Sequence, residues 1–268
     1  MSYAPTILIN LVVIILSIQL IISTAELLTL HYLYRDDGLF SWKVQRMGRT
    51  ISIYVQKLKL DFVCKYPNIL IVLALRMLCG ITIPVLVILN YSILIPLLIV
   101  TFINLILQVR NSQSNDGSDQ MAMICFIALL FANFINTELS WSIALVFIAA
   151  QASLAYGVSG ILKMLKKEWH NGESARRVLK TSSYGNKKAL GLALEYNWIA
   201  KLFGLFVIYG DTLLAFSFAL PPIICGCVLI FGVFLHIGIG SVMGLNTFLW
   251  SYVSTYPAIF YVSTLIYY

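Results

Sequence analysis

The chain has 268 residues, of which 60% are hydrophobic and only 11% are charged, with a net charge of +7. A water-soluble domain could not cover itself with so little polar surface, so lipid must be the solvent around much of the molecule. Solid apolar runs without period-two alternation exclude a β-barrel. The composition therefore predicts an all-α, polytopic membrane helix bundle.

Several apolar runs reach the length of about 20 residues that a membrane-spanning helix needs. We predict eight such helices, at residues 4–30, 69–90, 91–108, 121–136, 141–162, 199–220, 222–242 and 245–267. Polar turns beginning at Asn90 and Asn136 and the Pro221-Pro222 pair separate neighbouring helices. The first run has no basic leader segment or small-residue cleavage site, so we predict a spanning helix there. No repeat or linker is visible, so residues 1–268 are predicted to form one domain.

Positive charge is concentrated in two segments of the chain. Of 18 Lys and Arg residues, seven lie within residues 35–65 and eight within 163–188. With eight helices, both segments and Arg110 fall on one face, which the positive-inside rule makes cytoplasmic. Apolar residues recur at helical spacing within residues 42–62, which predicts a helix lying flat in the interface, and the second segment is interpreted in the same way. The partner of both segments is predicted to be the lipid bilayer, not a nucleic acid.

The five cysteines lie mostly within apolar runs and include no Cys-x-x-Cys pair. No histidine accompanies them at the spacing of a zinc site. We therefore predict structural thiols and no bound metal.

Ionisable residues within apolar runs are costly in lipid, so each is a functional candidate until a partner explains it. These residues are Glu26, Arg76, Lys163, Glu195, Lys201, Asp211 and His236. Asp211 and His236 could meet across the Pro221-Pro222 hairpin, either as a buried hydrogen-bonded pair or as a proton relay or ligand site. Arg76 is predicted to snorkel to the cytoplasmic interface, and Lys163 alone invites the same interpretation.

The segment at residues 156–172 reads YGVSGILKMLKKEWHNG. A helix ending in Tyr-x-x-Ser-Gly-x-x-Lys, followed by Trp six residues later and Gly three beyond, resembles the HTTM domain. Vitamin K-dependent gamma-carboxylases and bacterial proteins of the sporulation-delaying-protein B type share this domain. Three more segments support the resemblance: RNSQSNDGSDQ at 110–120, YGDTLL at 209–214, and GLNTF at 244–248 after His236. The resemblance covers about residues 40–268.

The resemblance implies a chemistry and a set of site residues. In the carboxylase, the lysine of the Gly-x-x-Lys element is the base that deprotonates reduced vitamin K. The resemblance thus implies that Lys163 is a catalytic base and that the cofactor is a reduced lipid quinone. It also implies that His236 and Asp211 line a quinone-sized cavity together with Lys163. The ligand-binding residues that it implies are Trp169, Tyr156, Asp119 and Asn246.

The carboxylase also carries a large extramembrane domain that this chain does not contain, so the resemblance is closer to the short bacterial proteins. We expect an enzyme that modifies or matures a small peptide or protein in the bacterial cytoplasmic membrane, rather than a true glutamate carboxylase. A second hypothesis is a non-catalytic membrane subunit that docks or helps export a small secreted peptide through its basic segments. A third, a proton-coupled transporter using Asp211 and His236, is disfavoured because no inverted repeat is visible.

Overall fold

The structure is a computed structural model that describes residues 5–47, 61–111, 115–182 and 185–268. Throughout these ranges the chain is helical without strands, which confirms the all-α prediction for the described part. Its contacts define two compact units, a first unit of Met1–Val12 with Ser142–Tyr268 and a second unit of Val13–Trp141. The single-domain prediction stays a prediction. The interfacial helix expected within residues 42–62 lies mostly on residues 48–60, outside the described ranges.

The α-helices are, in chain order, α1 (Pro5–Thr29), α2 (Trp42–Gln45), α3 (Asp61–Cys64), α4 (Asn68–Ile88), α5 (Leu94–Arg110), α6 (Gly117–Ile135), α7 (Glu138–Met164), α8 (Lys167–His170), α9 (Glu173–Lys180), α10 (Lys187–Glu195), α11 (Asn197–Ala215), α12 (Pro222–Met243), α13 (Asn246–Val253) and α14 (Tyr256–Tyr267). Six of these described helices, α1, α4, α6, α7, α11 and α12, are long and apolar enough to cross a membrane. They are consistent with an integral membrane protein. The predicted count of eight is not confirmed, because α5 is shorter and the last apolar run is divided.

The last run forms two helices, α13 and α14, so the prediction of one continuous helix at residues 245–267 is wrong. Pro257 is the second residue of α14, and because a proline has no backbone N–H it could not donate to the Val253 carbonyl in one continuous helix. The hydroxyls of Ser254 and Thr255 donate to the carbonyl oxygens of Ser251 and Tyr252, each 2.7 Å away. Such local bonds give the backbone an alternative to the helical ladder.

The predicted turns are confirmed at their first residues. Asn90 and Asn136 have φ angles of 57° and 53°, in the left-handed region that asparagine tolerates better than most residues. Pro222 is the first residue of α12, where its missing N–H costs no intrahelical bond. These three positions end or begin helices because of backbone chemistry that is visible in the sequence.

Arg76 on α4 is buried within the second unit, at 5% exposure, so the prediction that it snorkels to the interface is wrong. Its Nη1 donates to Ser23 Oγ (2.9 Å) and Thr24 Oγ1 (2.6 Å) of α1, and its Nε donates to Asn104 Oδ1 (2.8 Å) of α5. A guanidinium carries five N–H donors in a fixed fork, which suits it to bridging several oxygens. Arg76 thereby connects α1, α4 and α5 within this unit.

A second buried arginine ends α5 in the same unit. Arg110 has no exposed surface, and it donates to the carbonyl oxygens of Cys64 (3.0 Å) and Phe40 (2.9 Å). Its guanidinium carbon lies 4.4 Å from the centroid of the Tyr34 ring, within cation–π range. Arg110, which was expected to contribute positive charge to a membrane face, therefore links the end of α5 to Phe40 and to Cys64 of α3. Burial in this region raises the pKa of the Cys64 thiol to about 11.

Candidate functional site

A cavity of about 180 Å³ lies within the first unit. α7 contributes Tyr156, Ser159 and Lys163 to its wall, at positions i, i+3 and i+7, which share one face of a helix. The remaining lining side chains are Ala155, Trp169, Val178, Phe203, Val207, Asp211, His236, Ile239, Met243, Leu245, Phe248 and Tyr252. Most of this wall is hydrocarbon or aromatic ring, so the few polar groups in it stand out.

Lys163 and Asp211 form an ion pair in this wall. Lys163 Nζ lies 2.6 Å from Asp211 Oδ2, and the side chains of the two residues are 22% and 9% exposed. Ser159 Oγ donates to the same carboxylate oxygen at 2.8 Å and also accepts from Lys163 Nζ. The lysine is therefore a paired cation rather than a lone amine, and both charged groups stand in the cavity wall.

The pair depends on a close approach of α7 and α11 at Gly160. A Cβ atom at this position would lie 2.8 Å from Thr212 Oγ1 and 3.1 Å from Thr212 N. Because real Cβ atoms do not come so near to other heavy atoms, only glycine fits without a shift. Gly160 thus lets the α7 backbone pass beside the residue that follows Asp211.

Trp169 on α8 closes the cavity beside the lysine. Its ring centroid lies 5.5 Å from Lys163 Nζ, within cation–π range. The backbone of Trp169 packs directly on α11, where a Cβ atom at Gly204 would lie 2.2 Å from the Trp169 carbonyl oxygen. Trp169, noted in the sequence six residues after Lys163, therefore has its ring beside the Lys163 ammonium.

His236 on α12 forms a separate cluster with two tyrosines. Its Nδ1 lies 2.8 Å from the carbonyl oxygen of Gly232, and because a carbonyl only accepts, Nδ1 of the neutral ring is assigned the proton. Tyr156 Oη lies 3.4 Å from Nε2, and Tyr256 Oη lies 3.2 Å from both Nδ1 and Tyr156 Oη. The imidazole also stacks on Tyr252, with ring centroids 5.5 Å apart.

Asp211 and His236 belong to two separate polar clusters. A direct hydrogen bond between these two residues was one interpretation of the sequence, and the structure does not contain it. Asp211 is hydrogen-bonded by Lys163 and Ser159, whereas the hydrogen bonds of His236 go to Gly232 and the tyrosines. An Asp211–His236 hydrogen bond is thus not what joins α11 to α12. Both residues nevertheless line the same cavity.

Asp119 and Asn246 are the two candidate residues that the structure does not bring to this cavity. Asp119 belongs to the second unit, where its carboxylate accepts from the backbone N–H of Asp116 in the capping box that begins α6. Asn246 is the first residue of α13 and is not among the lining residues. The other five candidate residues do line the cavity, namely Lys163, Asp211, His236, Tyr156 and Trp169. Their roles stay predictions.

Sequence reasoning gave no site role to Ser159, although this serine belongs to the Tyr-x-x-Ser-Gly-x-x-Lys element, and it missed Tyr256. Ser159 lies four residues before Lys163, so the helical period alone could have placed both on one face. Tyr256 had no comparable signal, because its contact with His236 depends on how α14 packs after the interruption of the last run.

Comparisons with protein-family models, with curated proteins and with solved structures find no match for this chain. The fold and composition define an α-helical protein of the membrane-spanning type. Among the described residues, no group of three His, Cys, Asp or Glu side chains could hold a metal ion.

Proposed function

We propose that this chain is an integral membrane protein that binds a reduced lipid quinone in the cavity of the first unit and uses Lys163 as a base. The observation that carries the proposal is the Lys163–Asp211 ion pair, set in a wall that is otherwise mostly apolar. Ligand sites of this kind combine an apolar lining with a few convergent polar groups. The Gly-x-x-Lys resemblance adds the quinone and the role of the lysine.

The residues of the cavity suit a flat aromatic head group with ionisable hydroxyls. Trp169 offers a ring face, and Tyr156 offers a hydroxyl within hydrogen-bond reach of His236. A reduced quinone, when bound, supplies a hydroxyl that becomes strongly reactive once deprotonated.

The chain's own residues can manage that proton. A base at Lys163 needs an uncharged nitrogen, and Asp211 Oδ2, 2.6 Å from Nζ, is the group within reach that would take the proton Nζ releases. The amine then accepts the proton of the ligand hydroxyl, and Ser159 keeps the carboxylate oriented through its 2.8 Å bond. Trp169 and the surrounding apolar side chains limit the access of water.

The acceptor in this proposal is a small peptide or protein, and the setting is a bacterial cytoplasmic membrane. Both come from the resemblance to the short bacterial proteins rather than from the cavity. Modification or maturation of the peptide is the proposed outcome, with carboxylase- or oxygenase-like chemistry.

Quinone binding tests the proposal directly. The protein is purified in mild detergent, its co-purified lipids are identified by mass spectrometry, and binding of an added quinone is followed by quenching of tryptophan fluorescence. Lys163→Ala should weaken binding about tenfold, since it removes a charged hydrogen-bond donor worth about 1.5–3 kcal/mol. Lys201→Ala is the matched control, because Lys201 is an exposed lysine of α11 that does not line the cavity. Absence of quinone binding to the unsubstituted protein would contradict the proposal.

A second candidate function is a non-catalytic subunit that docks a small secreted peptide, and the charge of α9 and α10 favours it. Arg177, Lys180, Lys187 and Lys188 are exposed on these two short helices. Arg176 is different, because it donates to the Ala193 carbonyl and to Asn197 and so holds α9 against its neighbours.

The docking hypothesis is therefore tested by neutralising the four exposed cations to glutamine and leaving Arg176 in place. Release of a co-purifying peptide by this variant, with Lys163→Ala retaining it, would favour the subunit over the enzyme. Retention by the quadruple variant would exclude these cations as the docking surface.

A further inference from the structure

An apolar groove of about 800 Å³ runs along α11 in the first unit. Its wall consists of Trp198, Ile199, Leu202, Phe203, Leu205, Phe206, Tyr209, Gly210, Leu213 and Phe231. Among these, Leu202 and Tyr209 are 55% and 60% exposed. Large apolar side chains exposed on a helix of spanning length face lipid rather than water.

The groove and the cavity lie on adjoining faces of α11. The cavity is lined, at a spacing of four residues, by Phe203, Val207 and Asp211. The groove is lined by Leu202 and Phe206, each of which comes one position before a cavity residue. One residue corresponds to about 100° around a helix, so the two faces are neighbours. Phe203 belongs to both walls, so the cavity and the groove meet at this side chain.

The wall of the groove suits a hydrocarbon chain better than a partner helix. Helices in membranes associate through small residues that let their backbones approach. Here Gly210 is the single small residue in the wall, and a Cβ atom at that position would already lie 3.0 Å from Leu235 of α12. The other wall residues are aromatic or branched, with Phe206 and Phe231 in an edge-to-face contact of 5.0 Å between ring centroids.

We propose that this groove holds the hydrocarbon tail of the same molecule whose polar head occupies the cavity, with Phe203 at the point where head and tail meet. The inference rests on the proposed function, because it takes the Lys163 cavity as the head-group site. It narrows the ligand class to a lipid with one long apolar chain, entering sideways from the bilayer.

The experiment compares two ligands with the same quinone head, one carrying a long isoprenoid chain and one carrying a methyl group in its place. Leu202→Trp places a bulkier side chain in the wall of the groove, and Leu154→Trp is the matched control, because Leu154 is a similarly exposed leucine of α7 outside both walls. Leu202→Trp should weaken binding of the long-chain quinone about tenfold and leave the methyl compound unchanged. Leu154→Trp should alter neither affinity.

A second readout uses a photoreactive group near the end of the isoprenoid chain. The expected result is cross-linking to peptides that contain Phe206 or Tyr209, identified by mass spectrometry. Equal affinity of Leu202→Trp for the long-chain compound, or cross-links confined to other helices, would overturn the inference. If the methyl compound binds in a Lys163-dependent way while chain length has no effect, the inference fails and the proposed function stands. If neither compound binds, both fail.

Discussion

Lys163 Nζ on α7 and Asp211 Oδ2 on α11 lie 2.6 Å apart, although 48 residues separate them in the chain. Each is a charged residue that lipid or apolar protein would make costly, and each supplies the counter-charge that the other needs. The pair joins two long apolar helices at the cavity wall, so its chemistry and its contribution to stability are coupled.

That coupling predicts a non-additive response to substitution. Lys163→Met and Asp211→Leu should each lower stability by about 3–5 kcal/mol, because each leaves one buried charge uncompensated. The double variant should be more stable than either single variant, since neither charge then remains. Thermal unfolding in detergent measures this, and a double variant that loses the sum of the two single effects would show that the groups do not interact.

Gly160→Ala should separate α7 from α11 and weaken the same ion pair. The added Cβ would lie 2.8 Å from Thr212 Oγ1, and forcing a methyl group into such packing costs about 1–3 kcal/mol. Gly157→Ala is the control on the same helix, because its Cβ would meet Ala215 at an ordinary 3.7 Å. We expect a lower melting temperature for the first variant only. Equal melting temperatures for the two variants would mean that stability does not depend on the close approach of α7 and α11 at Gly160.

The Arg76→Lys variant distinguishes between two roles of Arg76: a guanidinium that bridges helices and a cation that snorkels to the interface. An ammonium is a compact charge without the planar fork, so it cannot reproduce the bonds to Ser23, Thr24 and Asn104 together. Loss of one charged hydrogen bond costs about 1.5–3 kcal/mol, and the variant should unfold at a clearly lower temperature. Arg177→Lys, an exposed change of the same kind, should be neutral. Full stability of Arg76→Lys would favour snorkelling.

Cys64 should react slowly with maleimides in a variant whose other four cysteines are replaced by alanine. Burial raises the pKa of its thiol to about 11, so the reactive thiolate is scarce at pH 7 and its fraction grows about tenfold for each pH unit up to pH 9. Arg110→Ala removes the donor to the Cys64 carbonyl and should speed labelling only by loosening the packing around Cys64, because loss of this cation raises the pKa of the thiol further. Fast labelling at pH 7 in the parent would contradict the buried environment.

Much of the fold was predictable because single residues determine it locally. The helical class followed from long uncharged runs, and the ends of helices followed from Asn90, Asn136 and the Pro221-Pro222 pair. Pro257 carried the same kind of information about the last run, because in one continuous helix at residues 245–267 it would lie in the interior, where a proline breaks the hydrogen-bond ladder.

The partners of polar residues were less predictable, since they depend on which helices pack together. Nothing in the spacing of Arg76 indicates that α1 and α5 supply its oxygens. Likewise, the sequence allowed either His236 or Lys163 as the partner of the Asp211 carboxylate. Only the packing of α7 against α11 determines that the partner is Lys163. The helical period does predict which side chains share a face, as Tyr156, Ser159 and Lys163 do.

The length of α5 has a consequence for the lipid around the second unit. Its 17 residues span about 25 Å at 1.5 Å per residue, whereas the hydrocarbon core of a typical bilayer is about 30 Å thick. Hydrophobic mismatch of this size is relieved by local thinning of the bilayer or by neighbouring protein at the helix ends. Arg110 stands at one end of this short helix, and the carbonyl oxygens of Phe40 and Cys64 accept from its guanidinium. The charge that ends α5 therefore has protein oxygens as partners and does not depend on water or lipid head groups for them.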